Sequence, residues 1–210
     1  MLPSSQILLI RHGETDDNKR RRFQGHGGSR LNLAGKEQAA RLAERLRPME
    51  IAAVHASDLE RAYETAFAIA EPHGLSVATD ARLREVDVGQ WQGKNGEEIS
   101  ALFPDEWAAW RDGRDVPRGG GETYEAVRSR VVEKLIEIAS LHVGHRVAVV
   151  SHGGAIKSVV AWLISGSTDS MRALTPVENT AITLLDVAPA GSARPFVVRS
   201  FNDVAHLWPA

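Results

Sequence analysis

The sequence predicts an α/β protein, a three-layer α/β/α sandwich with a mostly parallel central sheet. Three observations carry that reading. Short apolar, β-rich runs alternate with stretches of helical period, and the runs are apolar without a polar alternate face, as strands buried on both sides are. Two of them end in the same His-Gly signature. A long Gly- and Trp-rich segment interrupts the alternation once, in the middle. Strand alternating with helix favours parallel strands joined by crossovers, with helices on both faces.

The elements follow in order. Residues 7–10 (ILLI) read as a short buried strand, as do 52–55 and 147–150. Over 34–46, Ala39, Leu42, Ala43 and Leu46 share one helical face. Over 59–70, Ala62, Ala66, Ile69 and Ala70 do the same, and Pro72 with Gly74 closes that helix. Ser57 or Asp58 is expected to be its N-cap. Residues 124–141 carry Val127, Val131, Leu135 and Ile138 as a long amphipathic helix, which Glu122 is expected to begin or cap. Residues 155–164 form another helix. Residues 181–187 and 195–201, joined by a turn near 189–192, read as a closing hairpin at one sheet edge. The whole of 1–210 is read as one domain. Residues 89–121, with a short helix around 97–110, are read as an insertion or lid over the carboxyl ends of the strands, where α/β proteins put ligands.

The 210 residues are 43% apolar and 25% charged, with net charge -2. That balance suits a globular chain and offers no overall field for nucleic acid or an anionic membrane. With no cysteine, disulfides, thiolate nucleophiles and cysteine zinc sites are excluded. Only MLPSSQ precedes the first apolar run, which predicts no secretory leader and a cytoplasmic address. No run approaches the length needed to span a bilayer. His142 and His145 lack a third ligand, so no metal site and no cofactor are expected. Gly119-Gly120-Gly121 lacks the Gly-Lys-Ser/Thr of a phosphate-binding Walker loop.

The chemistry is concentrated at two strand ends, ILLI-Arg11-His12-Gly13 and VAVV-Ser151-His152-Gly153. Each places a His just past a strand, followed by a Gly that lets the backbone turn and approach a ligand. Two such ends in one parallel sheet can put both imidazoles into one crevice; the alternative is two unrelated histidines. A neutral imidazole is a competent nucleophile at phosphorus. Arg11 offers a permanently charged bidentate fork for phosphate, and Asn18 can add an amide donor.

With Asn18 and Phe23-Gln24-Gly25, this LIRHGET segment resembles the histidine phosphatase, or phosphoglycerate mutase-like, superfamily. The resemblance continues through Leu31-Asn32-Leu33-Ala34-Gly35 and Ser57-Asp58-Leu59-Glu60-Arg61-Ala62. It goes on to Leu83-Arg84-Glu85, Gly121-Glu122-Thr123, Ser151-His152-Gly153-Gly154 and Glu178-Asn179-Thr180. It covers about residues 7 to 207, in order.

By that resemblance the fold is phosphoglycerate mutase-like and His12 is the nucleophile that becomes phosphorylated. Arg11, Arg61 and His152 line the phosphate pocket and stabilise charge on the transferring group. Asn18, Gln24, Gly25 and Gly153 join them as phosphate-binding positions, and Glu85 matches the general acid. His26 departs from the family, which usually has an aromatic there, and no substrate role is carried over to its loop. The run 19–22 is read as a solvated patch or a basic rim for anionic substrates. Trp91, Trp107 and Trp110 are either an apolar pocket wall or packing of the insertion. The expected partner is a small phosphorylated metabolite, with homodimerisation open. The implied activity is a metal-independent phosphomonoesterase. The alternatives are a cofactor-dependent phosphoglycerate mutase and a non-catalytic phospho-ligand binder. VDVGQWQGKNGEEI after Glu85, the shorter chain and the small tail beyond Leu207 resemble the phosphatase branch.

Overall fold

In the computed structural model, which describes residues 5–188 and 195–208, the apolar runs join one six-stranded sheet. Its elements, in chain order, are β1 (Ser5–Arg11), α1 (Asp16–Lys19), α2 (Leu33–Leu46), β2 (Ala53–Ala56), α3 (Glu60–Ala70) and β3 (Val77–Thr79). There follow α4 (Gly96–Leu102), α5 (Pro104–Arg111), α6 (Tyr124–Leu141), β4 (Arg146–Ser151), α7 (Gly153–Ser165), β5 (Ile182–Val187) and β6 (Phe196–Asp203). The strand order is β3-β2-β4-β1-β5-β6. The first four are mutually parallel, and β5 and β6 run antiparallel at one edge.

Side chains alternate across a strand, and here both faces are covered. Ile7 and Leu9 of β1, with Val147 and Val149 of β4, enter one core beside Val131, Leu135 and Ile138 of α6 and Val159 of α7. Leu8, Ile10, Ala148 and Val150 enter the other beside Leu42 and Leu46 of α2 and Ala66 and Ile69 of α3. This is why the strand sequences carry no polar face. Each buried Leu or Ile contributes about 1.5–3 kcal/mol.

Local chemistry sets the helix ends, in places differently from the sequence reading. Asn32 caps α2, its side chain accepting from Gly35 N–H at 2.8 Å. Neither Ser57 nor Asp58 caps α3: Leu59 holds the N-cap position without a side-chain bond. Ser57 Oγ accepts from Leu59 N–H at 3.3 Å, and Asp58 is drawn off by Arg84, whose Nε donates at 2.7 Å. Thr123, not Glu122, caps α6. The expected helix over 97–110 is two helices, broken at Phe103, because Pro104 fixes its φ and has no N–H for an upstream carbonyl. β3 was not expected; it is three residues long, half-exposed, and pairs only with β2. The turn expected near 189–192 lies outside the described residues.

Between β3 and α6 the chain crosses itself closely. A Cβ on Gly89 would lie 2.2 Å from the Gly119 carbonyl oxygen, so these glycines serve a backbone crossing. Among the described residues no helix is long and apolar enough to cross a membrane.

Candidate active site

The register of the sheet does the first part of the construction. β1 and β4 pair in parallel with Arg11 opposite Ser151, so the next residue on each strand is a histidine beside its counterpart. His12 N–H donates to the Ser151 carbonyl at 3.0 Å, and the two imidazole centroids are 5.1 Å apart, tilted by 59°.

The two rings are held differently. His12 Nδ1 lies 2.7 Å from the Gly13 carbonyl, which can only accept, so Nδ1 carries the proton and Nε2 keeps its lone pair. Burial, then the charges of Arg61 and Arg11, push its pKa well below the ordinary histidine value. His12 is therefore neutral at physiological pH. His152, fully buried, has no partner for either ring nitrogen among the described residues. Burial, then Arg61 and His12, depress its pKa in the same sense.

Arg11 and Arg61 bring the positive charge. Arg11 Nη1 donates to the Val177 carbonyl at 2.6 Å. Arg61, the second residue of α3, is buried and donates to the carbonyls of Gly27 (2.5 Å) and Gly25 (2.8 Å). Both guanidiniums keep a buried Nε that has no partner among the described residues. Burial lowers the pKa of Arg61 to about 10, leaving it charged at neutral pH. Neither Asp58 nor Glu64 pairs with it.

The remaining expected residues divide. Asn18 Oδ1 accepts from Thr15 and, at 3.3 Å, from Asn179 Nδ2, while Asn18 itself faces an inner cavity. Gln24 lines the same cavity, its Oε1 accepting from Thr15 Oγ1 at 3.1 Å. Gly25 is needed for its backbone: φ is +54°, a Cβ would strike Val88, and its carbonyl holds Arg61. Gly153 lies beside Arg11, where a Cβ would come 3.3 Å from Nε.

Glu85 sits opposite, on the segment after β3. Its carboxylate accepts from Val86 N–H (2.9 Å), Gly154 N–H (3.0 Å) and Ala155 N–H (3.0 Å), the last two being in the first turn of α7. The carbonyls around it are gripped by Arg130 of α6, which donates to Arg82 O (2.9 Å), Arg84 O (2.7 Å) and Glu85 O (2.8 Å). Arg130 is itself fixed by a two-pronged contact to Glu122, whose Oε2 also accepts from Asp87 N–H. His26 Nε2–H donates to Glu85 O at 2.9 Å.

Two cavities meet here. The inner one, about 190 Å³, is lined by Arg11, His12, Asn18, Arg61 and Glu85 among others. The outer one, about 640 Å³, shares Arg11, Phe23, Glu85, Tyr124 and Gly154 with it and extends to Trp110, Lys157 and Met171. The tryptophans split between the two roles open to them. Trp91 is fully buried and packs edge-on against Phe23; Trp110 walls the outer cavity, with Trp107 stacked on it at 4.8 Å.

The model of the histidine phosphatase superfamily (branch 1) matches residues 7–203. The chain belongs to that superfamily. Phosphoglycerate mutase-like protein 4 of Arabidopsis thaliana is 38% identical over 208 residues, covering 97% of this chain and 87% of that one. Among solved structures, Bacillus stearothermophilus YhfR superposes with a TM-score of 0.88 at 31% identity, covering 98% of this chain and 100% of its own. A mycobacterial glucosyl-3-phosphoglycerate phosphatase complexed with VO3 superposes at 0.82 with 32% identity, covering 94% and 98%. A phosphoglycerate mutase-like protein and a phosphatase are thus both among its relatives, and the α/β fold is shared with the solved structures.

Several residues around this candidate site escaped the sequence reading. Arg130 and Tyr124 lie on a helix legible only by its apolar stripe. Asn179 was matched within a motif but given no role; its Nδ2 donates to His12 O at 3.0 Å. The next residue, Thr180, holds φ +58° and donates its N–H to Arg11 O, a left-handed conformation that β-branched residues rarely adopt. Such strain beside a site is a signal that only coordinates supply.

Proposed function

We propose that the protein is a metal-independent phosphomonoesterase acting on small phosphorylated metabolites through a phosphohistidine at His12. The observation that carries this is the tautomer of His12: a neutral ring whose protonated Nδ1 is tied to Gly13 and whose Nε2 is left for attack. In the first step Nε2 donates its pair to phosphorus while the ester P–O bond breaks. The departing oxygen takes its electron pair and the proton of the Glu85 carboxyl. In the second step Glu85, now a carboxylate, accepts a proton from water. The oxygen of that water bonds to phosphorus, and the N–P bond returns its pair to Nε2. Arg11, Arg61 and His152 supply donors to the equatorial oxygens, where charge develops. Two guanidiniums do here what a cation does in other phosphatases, so turnover should persist in excess chelator. Residues 89–121 serve as the wall or lid around the leaving group, and a cytoplasmic address goes with such substrates.

A mutase reading has its own support, the 38% identity to a phosphoglycerate mutase-like protein. The experiment separates the two. Phosphate release and isomerisation are followed from one phosphoglycerate, with and without a bisphosphorylated primer, alongside acid-quench trapping of labelled enzyme. We expect primer-independent phosphate release and label that is acid-labile and lost in His12→Ala. Primer-dependent isomerisation outrunning release would make the protein a mutase, and label retained by His12→Ala would remove the nucleophile.

A further inference from the structure

The net charge of the chain is -2, yet the outer cavity is cationic. Besides Arg11 and Glu85 at its inner end, it is lined by Arg111, Arg114, Arg118, Lys157 and Arg172 against Asp115 and Asp169. Most of these charges are already engaged. Arg118 is buried, stacks 3.8 Å over Tyr124 and faces Asp115, whose carboxylate also accepts from Tyr124 and Glu125 N–H. Arg172 donates to the Trp110 carbonyl at 3.0 Å, and Arg114 faces Asp112 at 4.0 Å.

Lys157 is different. It is only half-exposed, and among the described residues its ammonium makes no hydrogen bond and no ion pair. Burial alone shifts its pKa downward, with no carboxylate to offset that. A partly desolvated, unpaired ammonium is costly unless something anionic meets it. Its position says what. Lys157 lies one turn along α7 from Gly153, and one turn is about 5.4 Å. The first turn of the same helix holds Glu85. The apolar part of the same cavity's lining includes Trp110, Met171 and Val177.

We propose that the outer cavity receives the leaving group of the phosphate ester, and that Lys157 selects leaving groups carrying a second anionic group about one helical turn from the reacting phosphoryl. This rests on the phosphomonoesterase reading above. Exposed Arg111, without a partner among the described residues, adds to the field at the cavity mouth. Asp169 on the same rim opposes it, which makes Lys157 the residue on which discrimination turns.

The test uses three esters on one three-carbon chain: propyl phosphate, 3-phosphooxypropanoate and propane-1,3-diyl bisphosphate. They differ only in whether the far end is a methyl, a carboxylate or a phosphate. For wild type we expect kcat/KM at least ~10-fold higher for one or both of the doubly anionic esters than for propyl phosphate, the size of one charge-assisted contact. Lys157→Gln should collapse that ratio, chiefly through KM; Lys157→Arg should restore most of it; added salt should shrink it in wild type. Which anionic ester gains tells carboxylate from phosphate. A wild-type ratio near one, or a ratio unchanged in Lys157→Gln, overturns the inference while leaving the phosphatase reading standing. If no ester releases phosphate, the phosphatase reading fails instead. The same ratio is then read as Kd by calorimetric titration of the three esters into wild type and Lys157→Gln, with the same outcomes.

Discussion

The ends of β1 and β4 carry the same residues, His-Gly after an apolar strand, and do different work. At the β1 end the Gly13 carbonyl fixes one tautomer of His12 and so aims a lone pair. At the β4 end His152 has, among the described residues, no partner for either ring nitrogen, while the residues just after it, Gly154 and Ala155, give their N–H groups to Glu85. The motif is alike because the fold makes the same demand at both places: a strand leaving the sheet into a crevice. The division of labour comes from the next few residues, a loop to α1 at one end and a helix N-terminus at the other.

The largest expected effect tests that division directly. His12→Ala should lower kcat by about 10⁴-fold or more, as loss of a nucleophile does. His152→Ala should cost about 10²–10³-fold, the scale of one lost donor to a developing oxyanion, and should still form labelled phosphoenzyme at His12. Equal losses, with no phosphoenzyme in either variant, would mean the two ends are not specialised as described.

Next in size is the brace of Glu85. Arg130→Ala removes one donor from each of three carbonyls around Glu85 and the two-pronged contact to Glu122, so Glu85 should lose its alignment with the departing oxygen. Misplacement on the ångström scale costs about 10–100-fold. The loss should grow with the leaving-group pKa across a series of esters, because only poor leaving groups need the proton. A drop uniform across the series would show that Arg130 supports the fold and not the acid.

Arg130 also marks where sequence stops being informative. Arg11, His12 and His152 stand at strand ends that the sequence could place beside a crevice, and Arg61 came with the family resemblance; the structure brings the four together. Arg130 stands on the polar side of a helix defined by Val127, Val131, Leu135 and Ile138, and nothing in that periodicity separates a brace from a solvated arginine. The three tryptophans show the same limit: Trp91 and Trp110 lie in one segment, and only packing assigns one to the core and the other to the cavity wall. Some differences were in plain chemistry. Pro104 cannot sit inside a helix, which is why α4 and α5 are two. β3 left no signal because three half-exposed residues at an edge have neither length nor pattern.

The glycines sharpen the comparison on stability. A Cβ on Gly13 would lie 2.6 Å from the Gly35 backbone oxygen, and backbone cannot step aside cheaply. Gly13→Ala should therefore destabilise by about 1–3 kcal/mol, as overpacking does, visible as a lower denaturation midpoint. Gly153→Ala meets only the Arg11 side chain at 3.3 Å and sits in the first turn of α7. Its stability should change by less than about 1 kcal/mol, since the helix gains from Ala what the contact loses, while activity falls because Arg11 is displaced. A midpoint lowered equally in both variants would remove the distinction.

The smallest expected effect concerns what the two ends share. His12 is faced by Arg11 from β1, Arg61 from α3 and His152 from the β4–α7 junction. His152 feels Arg61, His12 and Arg11, and Arg130 from α6; Glu85 stands across the cavity. The net result lowers both histidine pKa values. With an ordinary pKa near 6.5, a nucleophilic histidine would lose about fivefold of its neutral form between pH 6.5 and 5.5. With its pKa held well below that value, more of the ring stays neutral across the window, so kcat/KM should fall by less than about threefold over it. Stability runs the other way. A histidine whose folded pKa lies below its unfolded value binds fewer protons folded than unfolded, so its contribution is complete above about pH 6.5 and is lost as pH falls towards the folded pKa. His55 and His206, both pushed down to about 4, chiefly by burial, add to the same trend. The midpoint of thermal unfolding should thus fall steadily from pH 6.5 to 4 while activity at low temperature holds over the first unit. A loss of kcat/KM of about fivefold or more by pH 5.5, with label on His12 falling in parallel, would show that the ring is protonated there. Burial and the charges around it would then not depress its pKa as the geometry requires.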